Sequence, residues 1–206
     1  MLGLSAGSVY HFCRSFSEKA EGSVAHLEEG LLNHRVVMMD ATVVSVDGKQ
    51  GYIRNFSVEK AVVYRVMKDK TIRAMEKVRF LAKFTGTLVH DHETALYHFG
   101  TGHGECNVHI IRYLKKNSEE SGNSWSGKMI SLLCEMNRKR KQAISRGEEA
   151  FAEEVIKGYE GRYRELIGKG REENQKTKYK YARKDEKKLL NRMEKYMWAA
   201  GKGEKL

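Results

Sequence analysis

The sequence predicts an α/β fold, a mixed sheet made of a three-stranded antiparallel meander plus parallel strands, followed by a long helical segment. Three observations predict it. Apolar, β-branched runs fill residues 36–67 and are separated by short polar turns. A helix-length stretch then leads to another apolar run, Thr87 to Val89, and that spacing suits a right-handed crossover to a parallel strand. Beyond residue 118 the apolar residues recur only at helical spacing. The chain therefore divides into a helical segment, 1–34, a sheet-bearing core, 35–117, and a second helical segment, 118–206.

Taken in order, Ser5 is placed to cap a helix whose apolar positions are Val9, Phe12, Phe16 and Ala20. A second helical stretch, Val24 to Leu32, is expected after Gly22. Val36 to Val46 is the first strand, Tyr52 to Val58 the second and Ala61 to Met67 the third. Asp47-Gly48 marks a type I′ hairpin turn, because both central positions of that turn need positive φ. Ile72, Met75, Val78 and Ala82 predict a helix over Thr71 to Phe84, stopped by Gly86. Thr87 to Val89 is a fourth strand that delivers Asp91, beside the first strand with its Asp40. A short helix is expected over 92–100, then a glycine-rich turn, and Glu105-Cys106 closes a fifth strand. Asn107 is placed to cap a helix from Val108 to Lys116, and residues 118–126 read as a polar loop. Three helical faces follow: Met129, Leu133 and Met136; Phe151, Val155, Tyr159, Tyr163 and Leu166; and Leu189, Met193 and Tyr196. The charge run from Gly168 to Lys188 reads as a solvated helix face or a connection.

The net charge of +11, from 38 Lys plus Arg against 27 Asp plus Glu, favours a polyanionic partner, nucleic acid above all. Three cysteines without framework spacing argue against a disulfide-stapled secreted domain. There is neither a signal-peptide pattern nor an apolar run near the roughly 20 residues of a membrane helix. The expected setting is a reducing cytoplasm, with no membrane. No segment fits a glycine-rich phosphate loop.

Asp40 and Asp91 carry the chemistry. Each ends or interrupts a short apolar strand, where a carboxylate is costly unless something compensates it. Two such groups suit Mg²⁺ (or Mn²⁺), which takes hard oxygen ligands and needs only one or two carboxylates beside water and phosphate oxygens. The plainer alternatives are a hydrogen-bonded strand residue for Asp40 and a helix N-cap for Asp91. Cys106 and His109 have a Cys-x-x-His spacing with His103 near, but this supplies two or three ligands where structural zinc takes four, so a structural role is expected. Basic clusters suited to phosphate contact are Lys115 and Lys116 with Arg112, then Arg138, Lys139, Arg140 and Lys141. A third runs from Lys176 to Lys184 with Tyr179 and Tyr181 interleaved, placed either to stack bases or to pack.

The order of these motifs resembles the central domain of bacterial DDE transposases of the insertion sequence 66 family. That family has a strand with Asp-Glu-Thr and then Val-x-Gly-Lys, a Gly-x-Leu-x-x-Asp-x-x-x-x-Tyr stretch, and a Cys-x-x-His-x-x-Arg helix. Asp40, Thr42, Gly48 and Lys49 match the first, Gly86, Leu88, Asp91 and a slightly shifted Tyr97 the second, and Cys106, His109 and Arg112 the third. The resemblance covers residues 1–198 and is strongest from Val36 to Lys116. It implies a ribonuclease-H-like sheet with a helical insertion after the fifth strand. It also implies metal-dependent strand cleavage and strand transfer at transposon ends, in DNA transposition and recombination, with Asp40 and Asp91 as the first two of three acidic ligands. The resemblance then implies DNA as the partner, with a homo-oligomer or other transposase subunits as further partners, no small-molecule substrate, and a place at the bacterial nucleoid.

Two departures stand out. Ala41 replaces the glutamate that follows the first aspartate, and should point to the other face of the strand. The family's third acid, after an Asn-Asn-x-x-Glu-Arg type motif, has no match before Leu206. The expectation is a transposase fragment, truncated at both ends and inactive alone. Two other readings compete with it: a non-catalytic basic DNA-binding protein on the same fold, and a stand-alone nuclease with Glu93 or Glu105 as third acid.

Overall fold

Alternating apolar residues and tight turns build the sheet as the sequence suggests. In the computed structural model, which describes residues 3–196, the strands are β1 (Val36–Val46), β2 (Lys49–Ser57), β3 (Val62–Met67), β4 (Thr87–His90) and β5 (Gly102–Glu105). Their order in the five-stranded sheet is β3-β2-β1-β4-β5. β1, β2 and β3 form an antiparallel meander, and β4 runs parallel to β1. The mixed α/β sheet predicted above is therefore present. Asp47 and Gly48 have φ of 52° and 73°, as a type I′ turn requires. The chain falls into two compact units, Met1–His103 and Gly104–Leu206, with the boundary inside β5.

In the first unit one sheet face carries the core. Val37 and Met39 of β1, Phe56 of β2, Val63 and Met67 of β3 and Leu88 of β4 are buried there with Leu31, Phe80, Leu81 and Phe84. Helix α1 (Ala6–Leu31) contributes only its last turns to this core. Ser5 caps it, its hydroxyl accepting the Ser8 amide at 3.1 Å. The expected break at Gly22 does not occur, since a lone glycine costs a helix only about 1 kcal/mol. Nor do Val9, Phe12 and Phe16 face a core: they are exposed. The predicted helix over Thr71 to Phe84 is a second correction. Only α2 (Ile72–Met75) is α-helical, capped by Thr71, and a 3-10 turn follows at Leu81–Lys83. The intervening amides bond three residues back, Val78 to Met75 and Leu81 to Val78, so that Met75, Val78, Phe80, Leu81 and Phe84 all reach the sheet. Packing overrides helical propensity here. Residues 94–98 form a 3-10 turn in place of a longer helix.

Among the described residues the second unit contains four helices: α3 (Asn107–Ser121), α4 (Trp125–Ser145), α5 (Glu153–Lys176) and α6 (Lys180–Tyr196). Asn107 starts α3 rather than capping it; the cap position is Cys106, whose side chain makes no capping bond. The predicted polar loop 118–126 shrinks to three residues. α3 continues to Ser121 and stops at Gly122, whose φ is 65°. Ile110, Leu114, Trp125, Met129, Leu132, Ile167, Leu190 and Met193 form the core. Tyr159, Tyr163 and Leu166 pack against it, whereas Val155 is exposed. Among the described residues no helix is long and apolar enough to cross a membrane.

Glu186, inside the charge run, is fully buried. Its Oε1 accepts from Trp125 Nε1 and Asn123 Nδ2, each at 2.8 Å. Its Oε2 accepts from Asn174 Nδ2 at 2.8 Å and Thr177 Oγ1 at 2.9 Å. Four neutral donors drawn from α4, α5 and the adjoining turns thus satisfy one buried carboxylate, which offsets its desolvation. An amide at this position would turn a donor towards donors. Glu186→Gln is expected to lower stability by about 2–3 kcal/mol and Glu186→Leu by about 3–5 kcal/mol in urea unfolding. A Glu186→Gln midpoint equal to that of the wild type would show that the network is not needed.

Candidate functional site

The register of the parallel pair positions both acidic residues. Val36, Val37 and Met38 of β1 lie beside Thr87, Leu88 and Val89 of β4. Asp40 and Asp91 each follow two residues after the last matched pair, so they lie at the same level on one sheet face. Val37, Met39 and Leu88 point to the core, which puts the two carboxylates on the opposite, outer face. Their oxygens come within 4.8 Å of one another. Of the plainer alternatives, that for Asp40 holds, since it is a hydrogen-bonded strand residue, whereas Asp91 lies in a bend and the cap position of the following 3-10 turn is Glu93.

Asp40 is oriented on both sides of its own Cα. Its amide donates to Asn55 Oδ1 across β2 at 3.0 Å, and its Oδ1 accepts the Ala41 amide at 2.8 Å. Asn55 is directly opposite Asp40 in the ladder and was not singled out by the sequence. Gly86 lets β4 start close to β1: a Cβ there would lie 2.6 Å from the Arg35 carbonyl oxygen and 2.5 Å from the Phe84 ring. The Thr87 amide donates to that Arg35 carbonyl at 2.8 Å. The glycine is therefore needed for close approach rather than for stopping a long helix.

After Asp91 the chain turns sharply. His92 has φ of 72°, a left-handed conformation that costs a non-glycine residue about 1 kcal/mol or more. Its Nδ1 is 2.9 Å from the Tyr97 hydroxyl. Tyr97 also stacks against His103, and His103 Nδ1 is 3.4 Å from His90 Nε2. Glu93 then dips to the inner face, where both its oxygens accept from Arg54 Nη2, at 2.7 and 2.8 Å. Arg54 is 1% exposed and its Nε has no hydrogen-bond partner among the described residues. Removing either partner of such a buried pair costs about 3–5 kcal/mol. Lys70 adds a third charge 3.5 Å from Glu93.

The glutamates considered as third acids are thus both engaged by arginine. Glu93 is held by Arg54. Glu105 Oε2 accepts from Arg192 Nε at 2.8 Å and also from Nη2, with Arg192 lying over the Tyr113 ring. Ala41 is the ladder partner of Arg54, so it lies on the inner face and away from the two aspartates. The other predicted residues belong to the helical unit. Cys106 sits at the cap position of α3, His109 is half-buried in its first turn, and Arg112, Lys115 and Lys116 are exposed along it. Arg138, Lys139, Arg140 and Lys141 are exposed together near the end of α4. Tyr179 and Tyr181 are 73% and 83% exposed, which excludes packing as their role in this unit.

Burial lowers the pKa of His103 below its ordinary value. A depressed histidine pKa means that the unfolded chain binds the proton more readily. Its contribution favours folding above about pH 6.5 and is lost as pH falls below that value. The urea midpoint is expected to fall between pH 7 and pH 5, and to fall less in His103→Gln.

A family model described as Transposase IS66 family matches residues 2–201, nearly the whole chain. No curated protein and no solved structure gives a significant match.

Proposed function

The chain belongs to the IS66 transposase family, and from that premise we propose that Asp40 and Asp91 are its metal-binding carboxylates for DNA strand cleavage and strand transfer at transposon ends. Membership itself implies a transposase role, a divalent metal ion and DNA as partner. The observation that carries the finer reading is the parallel register that brings the two carboxylates within 4.8 Å on one sheet face. The donor set fits the ion: two hard carboxylate groups, with water and phosphate oxygens left to complete an octahedral shell. A divalent ion held there supplies charge stabilisation at a phosphodiester and a more acidic bound water. The chain's own residues supply position: Asn55 fixes the Asp40 amide, and the strand ladder fixes the level of Asp91.

The same reading holds that residues 1–206 alone are a weak catalyst. Two carboxylates hold one ion loosely, and placing two ions across a scissile phosphate normally takes a further ligand. Glu93 and Glu105 are engaged by arginines and do not serve as that ligand. The expected outcome is weak Mn²⁺ or Mg²⁺ binding that Asp40→Asn or Asp91→Asn removes, with little DNA cleavage. Cleavage by residues 1–206 should rise when a helix bearing a third glutamate is fused to them, and the Asp→Asn changes should then abolish it. Efficient cleavage and joining by residues 1–206 unaided would contradict this reading. A chain that binds DNA but neither metal nor a grafted acid would support the non-catalytic DNA-binding alternative.

The basic face of α4 is proposed as a DNA contact, with Lys115 and Lys116 of α3 as a second one. Phosphate neutralisation releases counterions, so binding should be weakly sequence-dependent and fall steeply with salt. Replacing Arg138, Lys139, Arg140 and Lys141 together by Gln should flatten the slope of log affinity against log salt by as much as about 3. Fluorescence anisotropy across 50–200 mM salt reads this directly, and an unchanged slope would remove α4 from the interface.

A further inference from the structure

We propose that the buried Arg54–Glu93 ion pair is a positioning device that anchors the turn after β4 to β2 and so holds Asp91 against Asp40. The proposal rests on the reading of the two aspartates as metal ligands. Its basis is the path of the chain. Asp91 stays on the outer face, His92 reverses the backbone at φ 72°, and Glu93 crosses to the inner face. There it passes β1, which lies between β4 and β2 in the sheet, and reaches Arg54. It passes at the level of Ala41, the ladder partner of Arg54, whose methyl group leaves room for the pair.

The turn is held twice. The Tyr97 hydroxyl meets His92 Nδ1 at 2.9 Å, and Glu93 is bound by Arg54 with Lys70 at 3.5 Å. A left-handed non-glycine residue persists only where its surroundings over-determine it, and these two contacts do so. Asp91 lies outside any regular element, since β4 ends at His90. The contact of its second neighbour, Glu93, with a side chain on β2 ties this stretch to the sheet. Arg54 and Glu93 do not touch the ion in this reading. They act through Asp91, as groups behind a ligand commonly do.

A purely structural role predicts different results from a positioning role. Glu93→Gln removes the charge and should lower both the unfolding midpoint and Mn²⁺ affinity, the latter by about ten- to a hundredfold. Ala41→Glu added to Glu93→Gln returns a carboxylate to Arg54 from the directly opposite ladder position, where Cβ atoms are about 5 Å apart. The double variant should regain the midpoint but not the Mn²⁺ affinity, because the tether to the turn is still missing. Recovery of affinity together with the midpoint would reduce the pair to a structural one and overturn the proposal. So would a Glu93→Gln variant that keeps wild-type affinity.

Amide hydrogen exchange at residues 91–93 reads the turn without metal. It should rise in Glu93→Gln, by about tenfold or more, and stay raised in the double variant. Unchanged exchange overturns the clamp whatever the metal does. Raised exchange in a chain whose wild type binds no Mn²⁺ overturns the metal reading, and with it the claim that the clamp serves a metal site.

Discussion

Two carboxylates held within 4.8 Å repel each other, and the parallel ladder between β1 and β4 is what keeps them there. The repulsion between two unit charges at that distance is about 1 kcal/mol in water-like surroundings and about 3 kcal/mol at an effective dielectric near 20. The opposing force is built from several weaker constraints. Backbone hydrogen bonds set the register, Gly86 permits β4 to begin against the Arg35 carbonyl, and the core residues Val37, Met39 and Leu88 pin both strands from below. A one-residue slip of β4 would exchange its faces, burying Val89 and turning Leu88 outward, so the buried set specifies the register that the site requires.

Each unit also contains a buried charge, and the two are satisfied differently. Arg54 sits under the sheet and takes an ionised partner, Glu93, that comes from 39 residues away. Glu186 sits among helices and takes only neutral donors, four of them. Isolated burial of either charge would be prohibitive, and in both cases the compensation ties together segments far apart in sequence. The surface ion pairs contrast with this. Arg162 grips Glu135 with both terminal guanidinium nitrogens, at 2.8 and 2.7 Å, and holds the pKa of that carboxyl down at about 2, yet both groups are solvated and such pairs contribute little to stability.

The sheet was legible because its signals are local. Alternation marks β1 to β3, Asp47-Gly48 dictates the turn, and the order of Asp40, Asp91 and Cys106 pointed to the family that the chain belongs to. Segments misread were those where distant packing decides. Thr71 to Phe84 has helical spacing, but Phe80 must meet Phe56 edge to face at 4.9 Å, and the chain resolves this with successive three-residue turns. In 118–126 the polar residues belong to caps and side-chain bonds rather than to a loop: Ser121 bonds back to the Asn117 carbonyl at 2.6 Å, and the Asn117 side chain reaches Ser126 at 2.9 Å. One buried charge did leave a trace. Tyr52, Arg54 and Phe56 share a parity in a strand whose alternate positions face the core, so an inward arginine and the need for a partner can be read from residues 52–56. Which carboxylate answers it cannot, since Glu93 lies beyond two strands and a turn.

Strand alternation separates the two tasks at this site. Asp40 and Ala41 are neighbours in sequence yet occupy opposite faces, one among candidate ligands and the other among the groups that hold the sheet. A substitution at position 41 therefore acts on the holding side. Position 41 faces Arg54 across the ladder. Here an alanine stands there, and Arg54 is met by Glu93 instead. The charge under the sheet is balanced from the turn that carries Asp91, not from β1. That source links the second aspartate to a buried ion pair which a carboxylate on β1 would satisfy without reference to Asp91. The alanine at position 41 thus leaves the outer face intact, while Glu93 makes the inner face answerable for where Asp91 points.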